Sequence, residues 1–160
     1  MTKNIFLAIL FSIFTTTSIT AQTLHSKWKC TSKKINDCEY NLTFTVTIDK
    51  GWHIPSIHKI KGAEEDVFET EIVFKPNADY TLIGALTETK PATEYDETIK
   101  LNVLVHYNTV TFTQRIKLNS AGKLKINGTY EYQICNNVGC IFPPKDPFTF
   151  DLQGTSVCKK

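Results

Sequence analysis

Apolar and polar residues alternate along most of the chain, and the phase holds cleanly over long runs. Tyr40, Leu42, Phe44, Val46 and Ile48 share one phase, with Asn41, Thr43, Thr45, Thr47 and Asp49 in the other. A period of two places successive side chains on opposite faces, so this run predicts a half-buried strand. Trp28 to Cys38 predicts a first short strand and a loop. Phe68, Thr70, Ile72 and Phe74 share a phase, and Tyr80, Leu82 and Leu86 continue the alternation through Gly84. Thr87 to Asp96 is polar around Pro91 and reads as an exposed loop. Ile99, Leu101, Val103, Val105 and Tyr107 then form one apolar face, which puts His106 on the solvent side. Val110, Phe112, Ile116 and Leu118 follow, with Gln114 the polar residue in that phase. Leu124, Ile126, Tyr130, Tyr132 and Ile134 make another face, and Phe148, Phe150 and Leu152 close the pattern. Gly, Asn, Asp and Pro punctuate the runs at Asp49-Lys50-Gly51, Gly62 to Asp66, Pro76 to Asp79 and Asn119 to Gly122. No run has helical period. Many short strands with regular turns predict an all-β fold, an antiparallel β-sandwich.

The first residues do not belong to this pattern. Lys3 precedes an almost unbroken apolar run from Ile5 to Phe14, and small and hydroxyl residues follow to Ala21. The run is too short to span a bilayer and reads as a cleavable secretory signal over residues 1–21. Residues 22–160 then form one domain, with a short polar tail from about 153. Lys3 is the one charged side chain in the signal, which leaves 17 basic and 16 acidic residues in the mature chain. That balance gives no case for binding nucleic acid or an anionic membrane surface. No later stretch is apolar enough to insert in a membrane. Export places the protein in an oxidising compartment, in which disulfides persist.

Five cysteines remain: Cys30, Cys38, Cys135, Cys140 and Cys158. Proximity in sequence favours Cys135 with Cys140, and Cys30 with Cys38 as a structural bridge, leaving Cys158 over in the tail. The first pair bounds Cys135-Asn136-Asn137-Val138-Gly139-Cys140, whose Asn and Gly residues suit a tight turn. Cys135 falls in the odd phase with Glu131 and Gln133, so a continued pleat points it away from the sandwich core. So short a loop constrains the unfolded chain little, which lowers the value of this bridge as a stabiliser. From these residues alone, a reversible redox pair and an inert local staple both remain open. A metal site built from the two cysteines with His53, His58 or His106 is disfavoured, because no second ligand pair has matching spacing; His53 and His58 read as ordinary loop residues. No metal or cofactor is expected. There is no nucleophile elbow and no phosphate-cradling glycine loop.

Three motifs carry a resemblance: Gly51-Trp52-His53-Ile54, Val110-Thr111-Phe112-Thr113-Gln114, and Tyr132-Gln133-Ile134-Cys135 through Cys140-Ile141-Phe142-Pro143-Pro144. From Trp28 to about Leu152 the chain resembles the N-terminal periplasmic domain of the thiol:disulfide interchange protein DsbD. The resemblance implies an immunoglobulin-like sandwich and a redox-active Cys135–Cys140 pair. It implies Cys140 as the attacking thiol and Cys135 as the resolving one. It also implies electrons received from a membrane thiol reductase and passed to periplasmic thioredoxin-like proteins that serve disulfide isomerisation and cytochrome c maturation. The full family protein continues into membrane and thioredoxin-like domains, so the donor is expected to act in trans. The family shields its cysteines with an aromatic cap; the counterpart from Glu88 to Tyr95 offers only Tyr95. The competing expectation is a non-catalytic binding module whose disulfides only stabilise it.

Overall fold

The computed structural model describes residues 24–60 and 67–158. The proposed signal, residues 1–21, and the loop from Gly62 to Asp66 lie outside these. Among the described residues twelve strands follow one another: β1 (Ser26–Lys34), β2 (Glu39–Ile48), β3 (His53–Pro55), β4 (Glu71–Phe74), β5 (Tyr80–Glu88), β6 (Ala92–Asp96), β7 (Leu101–Tyr107), β8 (Thr109–Leu118), β9 (Gly122–Glu131), β10 (Ile134–Cys135), β11 (Cys140–Ile141) and β12 (Asp146–Gly154). All pairings are antiparallel. They form a four-stranded sheet in the order β1-β2-β8-β5, a five-stranded sheet β11-β10-β3-β7-β6 and a three-stranded sheet β12-β9-β4. Among the described residues no helix is long and apolar enough to cross a membrane.

The alternation of β2 becomes the centre of the core. Leu42, Phe44 and Val46 are fully buried, and on β8 so are Val110, Phe112, Ile116 and Leu118. The Phe44 ring meets Phe74, Phe148 and Phe150 edge-on, which locks the four-stranded sheet over the three-stranded one. The β-branched threonines between the buried positions of β2 and β8 face outward and suit a pleated, half-solvated surface. Gln114, polar in an apolar phase, is buried and donates its amide to the carbonyls of Ile83, Gly84 and Arg115. Those acceptors lie at a register shift in β5 between Ile83 and Thr87, where Gly84 has φ 67°. The bulge exposes carbonyls that the neighbouring strand cannot reach, and Gln114 satisfies them. Gly128 is required for a different reason. A Cβ there would lie 2.2 Å from the Val73 carbonyl oxygen and 2.3 Å from the Phe148 ring.

The structure corrects three expectations. The segment from Thr87 to Asp96 is not an exposed loop: it holds the end of β5 and the whole of β6, and the Glu88 side chain is buried. His106 is not solvated but 4% exposed. On β7 the apolar odd-numbered residues face away from the main core, and His106 faces into it. The cysteine pairing also differs. Cys38 is bonded to Cys158, and Cys30 is free. Cys38 lies in the β1–β2 connection, while the tail turns back as a short 3₁₀ segment (Ser156–Cys158) that buries Cys158. Cys30 is directed elsewhere, on β1 two residues beyond Trp28, and burial pushes its thiol up from the ordinary value.

The Cys38–Cys158 bridge spans 120 residues of chain. In the chain-entropy account a loop of this size restricts the unfolded state by about 5 kcal/mol, far more than a hairpin bridge. Cys158→Ser should therefore lower the unfolding free energy by about 3–5 kcal/mol in urea titration. Cys30→Ser should leave the map of disulfide-linked peptides unchanged; a freed Cys38 in that variant would contradict the pairing.

Candidate functional site

The hairpin that carries Cys135 and Cys140 is built by local chemistry. The Asn136 side-chain oxygen accepts hydrogen bonds from the amides of Val138 (2.8 Å) and Gly139 (3.1 Å). The Asn136 amide donates to the Gly139 carbonyl at 3.0 Å. An Asx-type turn of this kind closes the chain without help from distant residues. It sets Ile134 opposite Ile141 and Cys135 opposite Cys140, whose Cα atoms are 4.0 Å apart and whose sulfurs are bonded.

The pleat then divides the chemistry between two faces. Ile134 and Ile54 belong to the main core, and Cys135 does not. Cys135 pairs across the strands with His53, and His53 with Tyr107. One outer row therefore runs Cys140, Cys135, His53, Tyr107. The inner row of the same strands runs Ile141, Ile134, Ile54, His106. Cys135 is nonetheless only 5% exposed, because β10 is flanked by strands on both sides, while Cys140 on the edge strand β11 is exposed. Sequence phase directed Cys135 away from the sandwich core; the flanking strands nonetheless bury it and leave Cys140 exposed. The same stretch of chain also exposes apolar side chains. Val138 at the hairpin tip is 95% exposed and Phe142 is 62% exposed.

His53 is the site residue that sequence reasoning undervalued. It is a strand residue beside Cys135, not a loop residue. Its position inside Gly51-Trp52-His53-Ile54 was the available signal. Burial lowers its imidazole pKa from the ordinary value, opposed by the carboxylates of Glu94 and Asp96. Its ring meets Tyr107 edge-on at 5.4 Å. The Tyr107 phenol is pushed well up, first by burial and then by its hydrogen bond to Glu94. Glu94 and Asp96 pair with Val103 and Leu101, which puts them on the same outer face. Tyr95 pairs with Asn102 and so takes the opposite face from Cys135. It is not placed to cap the disulfide. The aromatic pair next to Cys140 is Phe142 with Phe68, 5.7 Å apart edge to face. Candidate metal ligands are not brought together: His53 and His106 lie on opposite faces, and both hairpin sulfurs are in the disulfide. Among the described residues no group of three or more His, Cys, Asp or Glu side chains could hold a metal ion.

Beneath the outer row sits a buried polar anchor. Glu88 accepts hydrogen bonds from His106 Nε2 at 2.8 Å, from the Ile57 amide at 3.1 Å and from the Ser56 hydroxyl. It thereby ties the end of β5 to β7 and to the segment just after His53. Burial alone would raise the Glu88 carboxyl; the bonds from His106, Ser56 and Ile57 outweigh it and hold the carboxyl below its ordinary value.

These features define a class, an immunoglobulin-like β-sandwich that carries a hairpin disulfide on the outer face of one sheet. The chain belongs to the family of N-terminal domains of the thiol:disulfide interchange protein DsbD, whose model matches residues 21–152. It is thus a thiol–disulfide interchange domain. Among solved structures it is similar to the N-terminal periplasmic domain of ScsB from Proteus mirabilis, at 16% identity and a TM-score of 0.53 over 81% of this chain. The chain spans 46% of the length of that protein. It is also similar to the Neisseria meningitidis DsbD N-terminal domain in the reduced form, at 17% identity and a TM-score of 0.45, over 79% of this chain and 86% of that one. No curated protein matches the chain.

The Glu88 anchor has a pH signature. A carboxyl held low in the folded state stabilises the protein above its unfolded pKa, and that contribution is lost as pH falls through the folded value. Stability should fall below about pH 4.5, with Glu88 contributing to the acid limb. Glu88→Gln should flatten that limb in urea titrations between about pH 3 and 6; an unaltered limb would contradict the account.

Proposed function

We propose that the protein is an exported carrier of reducing equivalents, which relays electrons through the Cys135–Cys140 pair. A membrane thiol reductase reduces the disulfide, and periplasmic thioredoxin-like proteins oxidise it again. The observation that carries this reading is the unequal placement of the two sulfurs on one hairpin, with Cys140 exposed on an edge strand and Cys135 buried next to it. Thiol–disulfide exchange requires one accessible thiolate to attack and a second thiol held close to resolve the mixed disulfide. Cys140 has the access and Cys135 the proximity.

The reaction balances as follows. Cys140 Sγ attacks one sulfur of the acceptor disulfide, forms a mixed disulfide and expels one acceptor thiolate. Cys135 Sγ then attacks Cys140 Sγ, restores the internal bond and expels the second acceptor thiolate. Two electrons and two protons pass to the acceptor. Val138 and Phe142, close to Cys140 in sequence and exposed, offer apolar surface of the kind that a protein partner covers when it docks. The hairpin bridge closes so short a loop that it restricts the unfolded chain by about 2 kcal/mol, less than half the effect of the Cys38–Cys158 bridge, which supports a role other than stapling. Family membership supports the interchange chemistry, and delivery to disulfide isomerisation and cytochrome c maturation is part of the same proposal.

Cys135→Ser removes the resolving thiol and should trap a mixed disulfide through Cys140 with a thioredoxin-like acceptor, seen as a reductant-sensitive adduct on a non-reducing gel. Cys140→Ser should trap none. Absence of the adduct with Cys135→Ser, or its appearance with Cys140→Ser alone, would reverse the assignment of roles or remove the relay.

A further inference from the structure

The outer row raises the question of where the Cys135 proton goes. The resolving sulfur must be a thiolate when it attacks, yet Cys135 is 5% exposed and an apolar setting holds a thiol protonated. Among the described residues, no Lys or Arg belongs to the row that holds it. On the side away from Cys140, its cross-strand neighbour is His53. Residues directly opposite on antiparallel strands have Cβ atoms about 4.5–5.5 Å apart, within reach of an imidazole and a sulfur that lean toward one another.

We propose that His53 is the proton acceptor for Cys135 in the resolving step, an inference that rests on the exchange chemistry proposed above. Once Cys140 has joined the acceptor, His53 takes the proton from Cys135 Sγ as that sulfur attacks Cys140 Sγ. The Cys135–Cys140 bond forms, the mixed disulfide breaks, and the departing acceptor thiolate takes the proton from the imidazolium. The electron pair leaves with the acceptor.

The surroundings fit this task. A base must be neutral at working pH, and burial favours the neutral imidazole. The imidazolium formed in the step must also be tolerated. Glu94 and Asp96 on the same face act in that direction, and both oppose the effect of burial. The titratable groups that share this face with His53 are therefore Cys135 on β10, Cys140 on β11, Tyr107 on β7, and Glu94 and Asp96 on β6. Tyr107 is an unsuitable base, since burial and its bond to Glu94 keep the phenol protonated. The neighbouring Glu88–His106 pair lies on the inner face and is closed off by its own hydrogen bonds.

The test uses dithiobis(nitrobenzoate), a small aromatic disulfide with a coloured leaving thiolate, so no protein partner is needed. The Cys30→Ser protein, with the hairpin pair reduced and Cys38–Cys158 intact, releases one thiolate when Cys140 attacks and a second when Cys135 resolves. Stopped-flow absorbance follows both. In His53→Gln the second phase should slow about a hundredfold at pH 7, the lower end of general-base effects. The first phase should change less than about twofold, and the second-phase rates should converge with those of the parent above about pH 9, where the thiol ionises unaided. Glu94→Gln removes a charge that favours imidazolium, so the midpoint of the second-phase pH profile should move to lower pH; this variant decides the matter if His53→Gln does not fold. An unchanged second phase in His53→Gln, or equal slowing of both phases with an unaltered profile, would overturn the proposal. A protein that behaves as expected with this probe but reduces no thioredoxin-like acceptor loses only the relay, and the role of His53 stands.

Discussion

The pleat of β3, β7 and β10 is the constraint on which the rest depends. Side chains on adjacent residues must leave a strand on opposite faces, so Ile134 and Cys135 cannot share an environment. With Ile134 fixed in the core beside Ile54, Cys135 is directed outward whatever its own preference. The same alternation sends Ile54 and His106 inward and His53 and Tyr107 outward. A slip of one residue in the β10–β3 pairing would turn the disulfide toward the sandwich and expose Ile134, which belongs to the buried core. The hydrophobic core thus positions the chemistry, and the site gains its order without large contributions of its own to stability.

Two devices hold that register. The Asn136 turn closes the hairpin locally, and the Glu88 carboxylate fastens β3 to β5 and β7 from beneath. The second is a buried ionisable group held by three donors, an arrangement in which removal of one partner leaves an unsatisfied charge in a poor solvent for it. The Cys38–Cys158 bridge works at the other scale, joining the first hairpin to the end of the chain. The protein therefore has two disulfides with different physical roles. One closes a very long loop and has a buried sulfur on the tail; the other closes a loop of six residues and presents a sulfur to solvent.

The strands of the sandwich were legible in the sequence because β2 and β8 each bury one face and solvate the other. Tyr40 to Ile48 alternates without exception, and the structure buries the predicted set. β7 was misread because this signal assumes one wet face. Val103, Val105 and Tyr107 are apolar yet lie on the outer face, while His106 is polar and lies inside, made tolerable by Glu88. No local pattern encodes a partner 18 residues away. The cysteine pairing failed for the same reason: Cys30 is near Cys38 in sequence, but the strand carries it away, and only the tertiary fold brings Cys158 to the first hairpin. The hairpin motif itself was legible because its turn chemistry is local. His53 was passed over because its meaning comes from the strand beside it.

The central claim is that the Cys135–Cys140 bond opens and closes in use. The reduction potential of this pair, measured by equilibration with glutathione redox buffers in the Cys30→Ser protein, tests it most directly. The account predicts a value more positive than about −300 mV, within the range of working thiol–disulfide proteins. A value clearly below about −300 mV would mark a structural bridge and contradict the account.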